Sequence, residues 1–352
     1  MTRLRALLGA STLLRHLVLT ALAGFALYLL TLELDPFRNF QLATVAAYLC
    51  ATAGLTVLTG LSGQLSLGHG ALMAVGAYTV ALCQNALAEH DVTGNGVLPL
   101  SLLAGVLVTM AAGAVIGLAA ARLRGPYLAG VTLAVAVAVP AATVTFAELF
   151  NSEQGLGVYV EPPPPALGPY FPNERWQAWL ALLGALLTML LLANLTRGRF
   201  GRTLRAVRDD EVAARLSGID VARAQVLAFV VSAAGAGLGG GLLAVLAQSV
   251  SPGAFSLTLS LFLLMAVVIG GLGSLAGAVW GALLLVALPD LAHELSSGLV
   301  ASSPGAAQRL EGNLPLAVFG LTLIVVMIAL PDGVQGLLRR LSGRARRRLP
   351  SR

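Results

Sequence analysis

Two stretches hold most of the polar groups that could do chemistry. The first reads Thr59-Gly-Leu-Ser-Gly-Gln-Leu-Ser-Leu-Gly-His-Gly70, with Thr59, Ser62, Gln64, Ser66 and His69 spaced by four glycines between apolar runs. Hydroxyl, amide and imidazole groups can replace part of a solute's hydration shell. Polar, glycine-rich breaks between hydrophobic segments are tolerated at membrane depth only where they are buried in protein or line a wet cavity. In transporters such breaks often hold substrate. Gln64, Ser66 and His69 are therefore candidate pathway residues, and a tight turn between two helices is the competing use of the same residues. His69 has no second histidine or carboxylate at ligand spacing, so no metal site is expected, and a structural role fits it better than proton carriage.

The second stretch is Arg197 to Arg223, with seven arginines and four acids in 27 positions. Gly201 and Gly218 bracket a run with helical spacing, and Glu211 and Arg215 form an i,i+4 pair in the favourable order. Most charge runs are solvated helices; the alternative is a helix that docks on another protein. A literal G-x-G-x-x-G at Gly235, Gly237 and Gly240 is set aside as a nucleotide site. No strand precedes it, its surroundings are apolar, and no ribose-binding acid follows. Gly237 with Gly241, and Gly273 with Gly277 and Gly281, instead have the four-residue spacing that lets helices approach closely in lipid.

The elements that position these residues follow from hydropathy. Mean hydropathy is +0.85 and only 11% of residues are charged, against about 25% in soluble domains. The net charge of +6 is confined to loops and tails, so it is not a nucleic-acid signal. With about 20 residues needed per crossing, ten spans are expected: 17–34, 41–60, 66–87, 98–121, 127–148, 176–195, 225–247, 257–272, 274–292 and 313–330. The fold class is all-α and polytopic. The apolar run near the N-terminus reads as a retained span, too long for a signal-peptide core. Residues 1–16 form a basic N-terminus, 17–335 the membrane domain and 336–352 a basic tail. With a cytoplasmic N-terminus, all arginines but Arg38, Arg175 and Arg309 fall on the cytoplasmic side, as the positive-inside rule requires. That places 197–223 inside and the proline-rich loop 149–175 outside, where it reads as extended chain.

Several functions are excluded. The chain has no lysine, so it has neither a Walker A lysine nor Schiff-base chemistry. Span interiors lack formal charge, which argues against an ion-coupled carrier. Cys50 and Cys83 lie in apolar runs and read as packed thiols. Pro140 should kink its span, with Thr132, Thr143 and Thr145 available to the freed backbone.

Four stretches occur in an order that resembles a known family: 61–78 (LSGQLSLGHGALMAVGAY), 122–127 (RLRGPY), 201–215 (GRTLRAVRDDEVAAR) and 267–281 (VVIGGLGSLAGAVWG). They resemble the LivM-type permeases of branched-chain amino-acid ABC importers, over roughly residues 40–335. The resemblance implies an ABC importer permease fold and a coupling segment that docks on ATP-hydrolysing subunits. The coupling residues carried over are Gly201, Arg202, Arg205, Arg208, Asp209, Glu211, Ala213, Ala214 and Gly218. It implies a LivH-type partner, two ATPase subunits that bind ATP and Mg, an extracytoplasmic binding protein, no cofactor on this chain and a bacterial plasma-membrane location. The turn after the fifth expected span, 151–157 (NSEQGLG), lacks a diglycine frequent in the family. Related permeases carry urea or short amides, which leaves these as alternative cargo. A stand-alone carrier or channel gated at 59–70 is the reading from another class. A membrane enzyme finds no acid–base pair to support it.

Overall fold

The computed structural model describes residues 12–302, except 93, 95, 124–125, 160–161, 165–166 and 169, and then 320–321, 324–325, 328 and 333–347. The helices are α1 (Thr12–Glu33), α2 (Pro36–Leu55), α3 (His69–Glu89), α4 (Val97–Ala120) and α5 (Pro126–Thr145). They continue as α6 (Ala147–Phe150), α7 (Asn173–Arg197), α8 (Arg199–Asp209), α9 (Glu211–Leu216) and α10 (Val221–Ala247), then α11 (Leu257–Gly270), α12 (Leu275–Ser302) and α13 (Gly333–Arg347). Among the described residues, eight helical segments are long and apolar enough to cross a bilayer, and α12 adds the shorter apolar stretch Leu275–Asp290. Nine of the ten expected spans therefore fall on helices. The tenth, 313–330, lies mostly outside the described residues, as do most of the N-terminal segment and the last five residues.

Backbone hydrogen bonding explains the helices, because hydrocarbon offers a peptide group no other partner. Their ends are set by local chemistry. Asp35 caps α2 by accepting from the Arg38 N–H at 2.8 Å, with Pro36 in the first turn. Asp220 caps α10 in the same way, accepting from the Arg223 N–H at 3.0 Å. Both are the favoured N-cap arrangement.

Helix α10 is the centre of the bundle, touching α2, α3 and α4. Its glycines make this possible on every side, not only along the expected Gly237–Gly241 line. A Cβ on Gly235 would lie 2.5 Å from the Cys50 carbonyl oxygen of α2, and one on Gly239 would lie 2.6 Å from that of Ala47. A Cβ on Gly237 would meet the Thr109 hydroxyl of α4 at 2.6 Å, and one on Gly240 would run into the Met73 backbone of α3. The helices thus meet backbone to backbone, where dispersion and weak polar contacts replace a hydrophobic driving force absent in lipid. The expected stripe Gly273–Gly277–Gly281 is only partly present. Gly277 and Gly281 pack α12 against Gly270 and Ala266 of α11, but Gly273 sits in the turn before α12 at φ +75° and abuts Gly60.

Helix α1 is peripheral, with most of its large apolar side chains outward. It rests on α7 through Tyr28 and Trp179, whose ring centroids lie 5.3 Å apart, and through the Trp179 Nε1–H, which donates to Thr31. The loop 149–175 is not uniformly extended. It opens with the end of α6 and a 3₁₀ turn at Ser152–Gln154. Strand β1 (Leu156–Gly157) then pairs antiparallel with β2 (Ser249–Val250), Leu156 opposite Val250, which ties the loop to the end of α10. Helix α5 contains Pro140, but the threonines do not serve the Ala136 carbonyl that it leaves. Thr143 donates to the Pro140 carbonyl, Thr145 to Ala141 and Thr132 to Ala129. Cys50 and Cys83 are free thiols.

Candidate functional site

The polar break is a joint between α2 and α3. Helix α2 runs on from Leu55 into a π-wound turn, Thr56–Leu61, and chain 63–68 is not helical. A π-turn inside or at the end of a helix often marks a functional position. The 66–87 span of the sequence reading therefore starts three residues late, at His69, because Ser66, Leu67 and Gly68 belong to the break. The non-helical chain is held by its neighbours: Gln64 N–H donates to the Leu58 carbonyl at 3.2 Å, Leu67 N–H to Thr132 Oγ1 at 3.0 Å and Gly70 N–H to Ser260 Oγ at 3.0 Å.

These three backbone N–H groups find partners, but several side chains do not. Thr59 Oγ1, Ser62 Oγ, both amide atoms of Gln64 and Ser66 Oγ are buried with no partner among the described residues. Each such group costs about 1–3 kcal/mol when left unpaired, so five atoms in eight residues is an arrangement that a polar ligand or water would relieve. His69 differs. It is fully buried, and its Nε2–H donates to the Ala51 carbonyl of α2 at 3.0 Å, which ties the start of α3 to α2. Of the three expected pathway residues, Gln64 and Ser66 have free polar atoms for a solute, whereas His69 is anchored through Nε2 and offers only Nδ1.

The charged stretch comes up against this joint. It is not one helix from Gly201 to Gly218 but two. Asp210 breaks the run with extended backbone and caps α9, accepting from the N–H groups of Val212 and Ala213 at 2.8 and 3.0 Å. Arg208, at the end of α8, donates from Nη1 to the Gly60 carbonyl at 2.8 Å, on the π-wound turn of α2. Its Nε and Nη2 both donate to Asp209 Oδ1, at 3.0 and 2.9 Å, fixing the plane of the guanidinium. Gly63 completes the contact. It stands at φ +72°, and a Cβ there would come within 2.8 Å of Arg208 Cγ. Ser62, Gly63, Gln64 and Arg208 line a cavity of about 790 Å³ together with Glu211 and Gln225.

The other candidates are distributed by role. Gly201 is buried, where any side chain would strike the Thr196 backbone, so it makes the α7–α8 corner. Arg202 is exposed. Arg205 donates to the Thr196 carbonyl at 3.3 Å. Glu211 accepts from Gln225 Nε2 at 3.2 Å and lies 3.7 Å from Arg215, joining α9 to α10. Ala213 is exposed but Ala214 is buried under α9, and Gly218 at φ +81° ends that helix. Ala214 therefore packs inside this chain. The sequence reading missed Val212 and Leu216, which are 68% and 85% exposed and lie one turn apart on α9. Their apolar type beside so many charges was the available signal. Among the described residues, no group of three or more His, Cys, Asp or Glu side chains is placed to hold a metal ion.

A bundle of apolar helices around a glycine-packed centre, broken by a buried polar joint, defines a polytopic α-helical membrane protein. The chain belongs to the family of branched-chain amino acid transport system permease components, whose profile matches residues 38–329. It is 34% identical over 272 residues to the high-affinity branched-chain amino acid transport system permease protein LivM of Escherichia coli K12, covering 71% of this chain and 62% of that one. The LivM protein of Salmonella typhimurium matches over the same shares. The chain thus spans about three-fifths of the length of these relatives. The permease protein BraD of Pseudomonas aeruginosa is 28% identical over 302 residues, covering 83% of this chain and 92% of BraD. No solved structure matches.

Proposed function

We propose that this chain is the permease subunit of an ATP-binding-cassette importer that moves branched-chain amino acids across the plasma membrane of a bacterium, both termini cytoplasmic. It works beside a LivH-type permease, with two ATPase subunits that hold ATP and Mg and an extracytoplasmic binding protein that delivers cargo. This chain is not itself an enzyme. The family membership, and near full-length similarity to BraD, support the cargo class.

One observation carries the mechanism: the α8–α9 unit offers an outward apolar pair, Val212 and Leu216, and is hydrogen-bonded inward, through Arg208, to the joint at Gly60. A partner that grips α9 would pull on the π-wound turn of α2 without an intervening flexible linker. The joint carries Gln64 and Ser66, whose unpaired groups suit the ammonium and carboxylate of a zwitterionic solute.

The test is Leu216→Glu in the reconstituted importer. Burying a charge at an apolar anchor should weaken ATPase association at least about tenfold and remove substrate-stimulated hydrolysis, with membrane insertion unchanged. Unaltered stimulation refutes docking through α9. Uptake by the purified chain alone in liposomes, without ATP or partners, would establish the carrier reading instead.

A further inference from the structure

The cavity between the joint and the α8–α9 unit has three kinds of wall. One is acidic, with Asp209, Asp210 and Glu211. One is polar and uncharged, made of Ser62 and Gln64, which are only 5% and 6% exposed. One is aliphatic, with Leu123, Leu128 and Ala129 among its residues. The volume of about 790 Å³ falls within the roughly 300–1,000 Å³ of small-molecule sites.

The charges of the lining do not cancel. Arg208 pairs with Asp209, and Arg215 with Glu211. Asp210 has no basic partner among the described residues. Its Oδ1 accepts from the Val212 and Ala213 N–H groups, and these bonds do not use Oδ2. The uncharged wall adds an independent observation. Ser62 Oγ, Gln64 Oε1 and Gln64 Nε2 are buried and unpaired among the described residues. A buried donor or acceptor without a partner is costly, and three such atoms belong to residues of one lining.

We propose that this cavity binds a free α-amino acid with an aliphatic side chain from the side that carries the ATPases, and that the bound molecule restrains import. An ammonium needs acceptors, a carboxylate needs donors and a branched side chain needs apolar surface; such an amino acid carries all three. Asp210 would hold the ammonium, the Gln64 amide N–H and the Ser62 O–H the carboxylate, and the Leu123–Leu128–Ala129 wall the side chain. The position gives the consequence. The ligand would touch Ser62 and Gln64 on one side and the Arg208–Asp210 end of α8 on the other, the two segments that the Arg208–Gly60 bond joins. A ligand shifts a protein toward the arrangement it binds better. An accumulated amino acid would therefore hold the joint as it stands and slow coupling. This deepens the transport reading and rests on its cargo class.

The experiment has two arms. In the first, radiolabelled L-leucine is dialysed to equilibrium against the full-length chain purified in detergent, without binding protein. Binding should be saturable. 4-Methylpentanoate, which lacks the ammonium, and 3-methylbutylamine, which lacks the carboxylate, should compete at least about tenfold less well. Asp210→Asn keeps a capping side chain but removes the charge, and affinity should fall about tenfold. In the second arm, the importer is reconstituted in vesicles with leucine added on the ATPase side. Substrate-stimulated hydrolysis should fall at least about fivefold. Ala129→Leu, which fills the aliphatic wall, should relieve that inhibition and leave hydrolysis without added leucine unchanged. Absence of saturable binding, unchanged affinity in Asp210→Asn, or undiminished inhibition in Ala129→Leu overturns the proposal. Uptake driven by ATP without binding to the chain refutes the cavity alone; binding without such uptake refutes the transport reading and with it the restraint on import.

Discussion

Arg205 and Arg208 lie three residues apart on α8 and serve cavities of opposite character. Arg208 reaches a cavity walled by Asp209, Asp210 and Glu211 and ends on a backbone carbonyl of α2. Arg205 reaches one lined also by Arg197, Arg339 and His16, with no carboxylate among the described residues. The residue type is the same and the surroundings are not, so the two cannot be exchanged in any argument about coupling. The difference shows that a basic segment beside a membrane can place its charges in two unlike settings, with one turn of helix between them.

Five substitutions at four positions bear on this contrast, taken from the largest expected effect. Gly63→Val places a β-branched residue at φ +72° and against Arg208 Cγ. Strain of about 1–3 kcal/mol should lower the melting temperature by several degrees and reduce substrate-stimulated ATP hydrolysis more than tenfold, read by scanning fluorimetry and a hydrolysis assay. Arg208→Ala removes a charge-assisted hydrogen bond to Gly60. Stimulated hydrolysis should fall about tenfold while the ATPase subunits still co-purify. Arg208→Lys should recover little, since an ammonium cannot hold the Gly60 carbonyl and Asp209 in one plane. Arg205→Gln should change hydrolysis by no more than about twofold, because its bond to Thr196 stays within one helical corner and does not reach the joint. A tenfold loss there would erase the distinction between the two arginines. Asp209→Asn should have the smallest effect, below about 1 kcal/mol in stability, as expected of an exposed pair.

Much of this fold could be read from residue order. Apolar runs of bilayer length became helices because a membrane leaves a polar backbone no alternative, and the Asp35-Pro36 and Asp220 caps are local signals. The break at Asp210 was also legible in principle. Asp-Asp-Glu at 209–211 places a capping side chain just before a fresh first turn, a pattern overridden in the sequence reading by continuous helical spacing. Other features had no local signature. The π-wound end of α2 lies with Gly60 against Gly273, more than two hundred residues later. The Arg208–Gly60 bond joins residues 148 apart. Gly273 has the spacing of its helical neighbours Gly277 and Gly281, and only the turn geometry takes it off the helix. The polar break was recognised by its residue types, but the tie from His69 to Ala51 needed the packing of α3 on α2.

Helix α10 has little side-chain padding between itself and α2, α3 and α4. Padding is what lets two packed helices shear past each other by small rotamer changes. Without it the four helices can only travel together, as one keel. Any alternation between inward and outward openings must then be absorbed where the keel stops: at the loosely wound end of α2, at the Gly271–Ser274 corner and at the hinge before α9.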